Sequence, residues 1–235
     1  MRGIKALFID FDNTLHDFSH ASGNAMEAVY GKIIHKYHID ENRLKTDYVM
    51  LLKKTEENAF VDGRTSFEYR AERFRSLLDN FAIVDEDLVK ELVQVYGKNL
   101  EKHMHLFDNV YSLLEVAKES YDLFLVTEGP SDAQRHNLEV LGIKDFFKRI
   151  FISGELRKIK SDGSLFLHAV NESGYSVDEI LVIGDSYKRD VIGAFKAGLR
   201  TIWIDEKGDI PDNYETKPYL RINKFEDLEK IFTVI

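Results

Sequence analysis

The sequence predicts an α/β fold, a doubly wound parallel sheet interrupted by an all-helical insertion. Three observations carry that expectation. An apolar run at the start, Ala6-Leu7-Phe8-Ile9, reads as a buried strand and ends in two carboxylates, Asp10 and Asp12. From Leu106 onward, short apolar runs alternate with amphipathic segments, the rhythm of strands joined by helical crossovers. Between the two, from Ser19 to His105, only helical periodicity is present. The first strand has no partner near it in sequence, so it must pair with the later strands, and the helical stretch is an insertion.

Taken in order, Ala25, Met26, Val29, Ile33, Ile34 and Tyr37 share one face of a first helix. Leu44, Tyr48, Leu51, Leu52 and Thr55 suggest a second. Thr65 to Glu68 reads as a capping box for a third, which turns Phe67, Ala71, Phe74, Leu77 and Leu78 inward. Asp85 can cap a fourth, with Leu88, Leu92, Tyr96 and Leu100 on its apolar face. Such a block of roughly 85 residues has the size of a small domain. The expected division is 1–18 with 106–235 for the sheet domain and 19–105 for the helical one.

Beyond it, Asp108 is expected to start a helix carrying Val110, Leu113, Leu114 and Ala117. Tyr121 to Thr127 reads as a strand, and Ser131 to Gln134 as a second capping box opening a helix that stops at Gly142. A short strand at Arg149–Ser153 follows, then a helix from Leu165 to Ser173 ended by Gly174. Glu179–Asp185 is a strand, Asp190–Ala197 a helix ended by Gly198, and Arg200–Ile204 a strand. The tail offers a short strand at Tyr219–Ile222 and a helix with Phe225, Leu228 and Ile231.

Composition narrows the function classes. A hydrophobic content of 44% with 16 Phe supports a packed core. No apolar run approaches the length of about 20 residues that spans a membrane. Met1-Arg2-Gly3 leads straight into a strand rather than a signal-peptide pattern. Cysteine is absent, which rules out thiol nucleophiles and agrees with a cytoplasmic location. A net charge of −9 argues against a nucleic-acid surface, yet it permits an anionic substrate where a metal inverts the local field.

Four segments at predicted strand ends carry chemistry. Asp10 can point up from the sheet edge while Asp12 comes from the Asn13-Thr14 turn beside it. Two acids with no base beside them call for a divalent cation, and hard oxygen ligands suit magnesium; the plainer reading is turn capping. Thr127-Glu128-Gly129 offers a hydroxyl and backbone amides for phosphate, or merely satisfies its own backbone. A lysine ahead of the helix at Leu165 can neutralise phosphate as a point cation, or be an ordinary surface lysine. Asp185, after Gly184, can reach a cation, while Asp190 can orient a metal water, a loop amide or that lysine, or simply cap a helix.

In order, these segments resemble the four motifs of the haloacid-dehalogenase-like (HAD) hydrolase superfamily, and the resemblance covers the whole chain. Asp10-x-Asp12-Asn13-Thr14-Leu15 matches the first motif, Thr127 the second, and Asp185 with Asp190 the fourth. Lys160 rather than Lys158 matches the third, because the interval from Lys160 to Phe166 has the family's spacing. The resemblance implies a Rossmann-like core, and the helical insertion resembles the C1 cap of subfamily I.

It further implies a magnesium-dependent phosphomonoesterase for a small phosphorylated metabolite such as a nucleoside monophosphate or sugar phosphate. Asp10 would be the nucleophile that becomes an aspartyl phosphate, and Asp12 the general acid and base. Asp10, Asp12 and Asp185 would hold the metal, with Asp190 in support. Thr127, Glu128 and Lys160 would hold the phosphate. A dehalogenase typically replaces the second Asp, so Asp12 argues against that branch. A phosphomutase keeps the same residues. A non-catalytic binding module predicts loss of motif residues, and all six are present.

Two positions depart from the family's pattern: Glu128 stands where Asn is common, and Ser161 where Pro is common. The Glu128 carboxylate is expected to turn toward the cap mouth and leave its amide for the phosphate. His16, Tyr30, Phe60, Arg64, Arg73 and Arg135 are candidates to line the cap pocket. The run from Asp10 to Phe18 with the Gly63-Arg64-Thr65 turn resembles the pyrimidine-nucleotidase-like branch.

Overall fold

Strand β1 (Ala6–Ile9) lies inside a six-stranded parallel sheet whose order is β3-β2-β1-β4-β5-β6. The other strands are β2 (Asp122–Thr127), β3 (Arg149–Ile152), β4 (Ile180–Gly184), β5 (Arg200–Ile204) and β6 (Leu220–Ile222). The computed structural model describes residues 3–55, 60–206, 208 and 216–232. The side chains of Thr55 and Ile231, expected above to face inward, lie outside that set.

The strands read as continuous apolar runs because both faces of the sheet are covered. Leu7, Ile9, Leu123, Leu125, Leu181 and Ile183 face one apolar cluster. Ala6, Phe8, Phe124, Val126, Ile180 and Val182, the alternate positions, face the other. The first face is covered by α5 (Val110–Ala117), by Leu138 of α6 (Ser131–Val140) and by the C-terminal α10 (Leu228–Phe232). The second is covered by α8 (Ser164–Ser173) and α9 (Gly193–Lys196); a short helical turn α7 (Ser153–Leu156) follows β3.

Between β1 and α5 come α1 (Phe18–Tyr37), α2 (Glu41–Thr55), α3 (Ser66–Asp79) and α4 (Glu86–His103). They enclose an apolar cluster of their own, including Val29, Ile33, Leu44, Phe74, Leu77 and Leu92. The Thr65 capping box forms as expected, and Asp85 accepts from the Leu88 amide at 2.9 Å. The chain enters and leaves this block through adjacent segments. Asp17 N donates to His105 O at 3.3 Å, and Phe107 N donates to Leu15 O at 3.1 Å. No helix among the described residues is long and apolar enough to cross a membrane.

Four local expectations differ from the structure. Phe67, expected on the inward face of α3, sits in its first turn and is 45% exposed. The helix after residue 106 is preceded by Asn109 in the left-handed region (φ 63°), not capped by Asp108. The Ser131 capping box does not form, because other elements claim both side chains: Ser131 Oγ donates to Glu155 and Gln134 donates to Asp12. The helix placed at Asp190–Ala197 begins earlier, as a π-helical turn over Tyr187–Ile192, with Ser186 capping it.

Candidate active site

The chain winds from β1 outward to β2 and β3, then returns to β4 on the other side of β1. That reversal opens a crevice at the carboxyl ends of the central strands, where ligands bind in open α/β sheets. Ile9 pairs with Leu125 and Ile183, so Asp10, Thr127 and Asp185 all emerge at this edge.

Asp10 is held from three sides and is only 8% exposed. Its amide donates to Ile183 O at 2.9 Å, its Oδ2 accepts from Thr14 Oγ1 at 2.9 Å, and its Oδ1 accepts from Lys160 Nζ. After Phe11 the chain turns through Asn13 in the left-handed region (φ 63°). Asp12 is thereby lifted beside Asp10. Its Oδ1 accepts from His16 Nε2 at 2.7 Å and its Oδ2 from Gln134 Nε2 at 2.9 Å. His16 is wholly buried against the Phe11 ring, with centroids 4.5 Å apart.

Lys160 is 1% exposed, and its ammonium bridges Asp10 and, at 2.7 Å, Asp190 Oδ1. Burial opposes its charge, but the attraction of Asp10 and Asp190 outweighs burial and raises its pKa above the ordinary lysine value. The other oxygen of Asp190 accepts from the Ser186 amide at 2.9 Å, so one carboxylate ties the lysine to the loop after β4. Gly184 makes this possible, since a Cβ there would lie 2.4 Å from Asp190 Cγ. Gly193 does the same for the lysine's own loop, where a Cβ would lie 2.1 Å from Lys160 O.

Both departures from the family pattern act on that loop. The Glu128 carboxylate does not turn to the cap mouth; its Oε1 accepts from the Lys160 amide at 2.6 Å. At Ser161, where Pro is common, the loop is tied through backbone carbonyls: Ser161 O accepts from Lys196 Nζ and Lys160 O from Gly163 N, each at 2.8 Å.

The donor set fits a hard cation and an oxyanion. Oxygens of Asp10, Asp185 and Asp190 lie within 4.8 Å of one another. Asp185 Oδ1 and Thr127 Oγ1 are buried without a hydrogen-bond partner, a cost that a ligand would remove. Burial, with repulsion from Asp10 and Asp190, pushes the Asp185 carboxyl above the usual range. Asp190 is also raised, chiefly by burial, although Lys160 opposes the rise. A bound divalent cation would restore the charged forms.

A cavity of about 670 Å³ lies over this edge, between the sheet domain and the helical block. Asp12, Glu128, Gln134 and Arg189 line it from below, and Tyr30, Phe60, Arg70 and Arg73 from above. Of the other expected pocket residues, Arg64 is engaged by Asp62 and Glu72, and Arg135 by Glu155; His16 instead lies buried on Asp12.

A family model described as haloacid dehalogenase-like hydrolase matches residues 7–204. The chain belongs to that family. Among curated relatives of this HAD hydrolase, N-acylneuraminate-9-phosphatase of Mus musculus is 28% identical over 99% of this chain and 95% of that one. Pyrimidine 5′-nucleotidase PynA of Streptococcus pneumoniae is 27% identical over 95% of this chain and 93% of that one. The crystal structure of YfnB from Bacillus subtilis, bound to magnesium, superimposes with a TM-score of 0.79 at 27% identity, over 99% of this chain and 100% of that one. The expected branch is therefore not singled out, since an N-acylneuraminate-9-phosphatase matches as well as a pyrimidine nucleotidase does.

Three residues escaped the sequence reading. Gln134 was absorbed into a capping motif. Arg189 sits between two motif acids and lines the cavity. Arg70 lies one turn before Arg73 on α3, and its spacing on that helix was the available signal.

Proposed function

We propose that this HAD hydrolase is a magnesium-dependent phosphomonoesterase for a small phosphorylated metabolite. In this reading 1–18 with 106–235 form the catalytic core and 19–105 a helical cap. Asp10 attacks phosphorus in line; the phosphorus–oxygen ester bond breaks and an aspartyl phosphate forms. Asp12 gives its proton to the leaving oxygen, then takes one from the water that releases phosphate. His16 and Gln134 fix the Asp12 carboxylate for both transfers. Thr127 Oγ1 and Lys160 Nζ hold equatorial phosphate oxygens, since positioning and electrostatics dominate phosphoryl transfer. Glu128 and Asp190 hold the two loops in register. Magnesium, when bound by Asp10, the Asp12 carbonyl and Asp185, supplies the positive charge that lets a carboxylate approach a phosphate dianion.

The observation that carries the proposal is the Asp12 carboxylate held at 2.7 and 2.9 Å by two side chains beside Asp10. A halide leaving group has no use for such an acid. The phosphatase names of the curated relatives support the same reading. Phosphate release from p-nitrophenyl phosphate with added magnesium tests it, against chloride release from 2-chloropropionate. Asp10→Asn should retain the fold and lose nearly all phosphate release. Chloride release without phosphate release would reject the proposal.

A further inference from the structure

The cavity carries more positive charge than the phosphate end uses. Four cationic side chains line it: Lys45, Arg70, Arg73 and Arg189. Lys45 is neutralised by Glu27 and Glu41, each at 2.8 Å. Arg189 faces Asp10, Asp190, Glu128 and Asp185, whose attraction overcomes burial and raises its pKa. Arg70 and Arg73 are different. They lie three residues apart on α3, on one helix face, and among the described residues neither makes an ion pair.

Both are nevertheless built in. The Arg70 guanidinium lies over the Tyr96 ring, 4.9 Å from its centroid, and the Tyr96 hydroxyl is fixed by donating to Ser22 Oγ at 3.1 Å. Arg73 lies beside the Tyr48 hydroxyl of α2. Burial lowers the pKa of Arg70, which marks a guanidinium drawn out of water. Asp132 acts on it through space, but Asp132 is occupied by the Ser66 amide and hydroxyl at 2.9 and 2.7 Å. Stacking on Tyr96 explains where the Arg70 plane lies. It does not use the nitrogen edge of that plane, and Arg73, one turn away, meets the neutral Tyr48 hydroxyl rather than an acid. Arg73 adds to the lowering at Arg70, and two like charges this close, one of them drawn out of water, repel unless an anion joins them.

We infer that Arg70 and Arg73 form an anion subsite that takes a carboxylate on the leaving-group end of the phosphate ester. This rests on the phosphatase reading above. A carboxylate presents a planar pair of oxygens that matches a guanidinium edge. It also brings a single charge into a cavity already lined by Asp12, Glu27 and Glu128, where a second phosphate would bring nearly two. The volume of about 670 Å³ accommodates a group of sugar size between the two anchors. The substrate class is thus a phosphorylated sugar acid or hydroxy acid rather than a nucleotide.

Matched substrate pairs test this on the intact chain with magnesium added. 6-Phosphogluconate and sorbitol 6-phosphate differ only in carboxylate against hydroxymethyl at the far end; 3-phosphoglycerate and glycerol 3-phosphate repeat the comparison at shorter reach. Wild type should favour the acid of the six-carbon pair in kcat/KM by about tenfold or more, the scale of one charged anchor. Arg70→Met and Arg73→Met should each bring that ratio toward one, and Arg70→Lys should restore it in part. If Arg70→Met does not fold, Arg73→Met and Arg70→Lys decide the point. Phosphate release at equal rates for both members of both pairs overturns this inference alone. Preference for sorbitol 1,6-bisphosphate over 6-phosphogluconate overturns the carboxylate assignment. No phosphate release from any ester, p-nitrophenyl phosphate included, rejects the phosphatase reading instead.

Discussion

Lys160 is the cation on which the buried acids depend, and Lys160→Met measures that dependence. Its ammonium lies 2.7 Å from Asp190 Oδ1 and bonds Asp10, with all three groups buried. Removing one partner of a buried ion pair costs about 3–5 kcal/mol, because the charges left behind are neither paired nor solvated. At roughly 2–4 °C per kcal/mol for a chain of this size, the melting temperature should fall by about 6–20 °C. The measurement is thermal unfolding in EDTA, so that no metal ion substitutes for the ammonium. The double variant Lys160→Met/Asp190→Asn removes one orphaned charge and should recover about 1–3 kcal/mol relative to additivity. Lowering the pH should also shrink the deficit. An orphaned buried acid has a folded-state pKa above its unfolded value, so its penalty disappears as it takes up a proton. A Lys160→Met protein melting within about 2 °C of wild type in EDTA, against the scale above, would refute this electrostatic account.

Gln134→Met leaves Asp12 with His16 alone. Losing a hydrogen bond to a charged group costs about 1.5–3 kcal/mol, so turnover should fall roughly tenfold to a hundredfold for poor leaving groups and little for p-nitrophenolate. A uniform loss across a leaving-group series would remove the general-acid role. Gly184→Ala puts a methyl 2.4 Å from Asp190 Cγ and should cost about 1–3 kcal/mol of stability, read by denaturant unfolding; an unchanged midpoint would show that the loop yields freely. Glu128→Ala cuts the 2.6 Å tie to the Lys160 amide and should raise KM for every ester alike. A changed ranking among substrates would instead return Glu128 to substrate recognition.

The sheet was legible because each strand is an apolar run bounded by turn signals, and the helical block because Thr65 and Asp85 announce their helices. Asp10, Thr127, Lys160, Asp185 and Asp190 could be placed because each stands at or beside a strand end or helix entry. What failed depended on contacts distant in sequence. Gln134, three residues after Ser131, looks like the partner in a capping box, and only the approach of Asp12, 122 residues away, redirects it. The Glu128 carboxylate was expected to turn to the cap mouth because the donor that claims it, the Lys160 amide, is 32 residues downstream. Local pattern fixes which side chains arrive at the edge; it does not fix which of several acceptors each one meets.

The two crossings between sheet and helices run side by side, Asp17 against His105 and Leu15 against Phe107. A segment whose ends already touch behaves as a replaceable part. Excising it leaves a gap that a residue or two can bridge, and lengthening it adds little closure entropy, because that cost grows only with the logarithm of loop length. The sheet should hold its register through either change, since among the described residues no strand begins or ends inside the exchanged piece. If α3 carries the selectivity proposed above, exchanging the helical block should alter it without disturbing the acids at the strand ends.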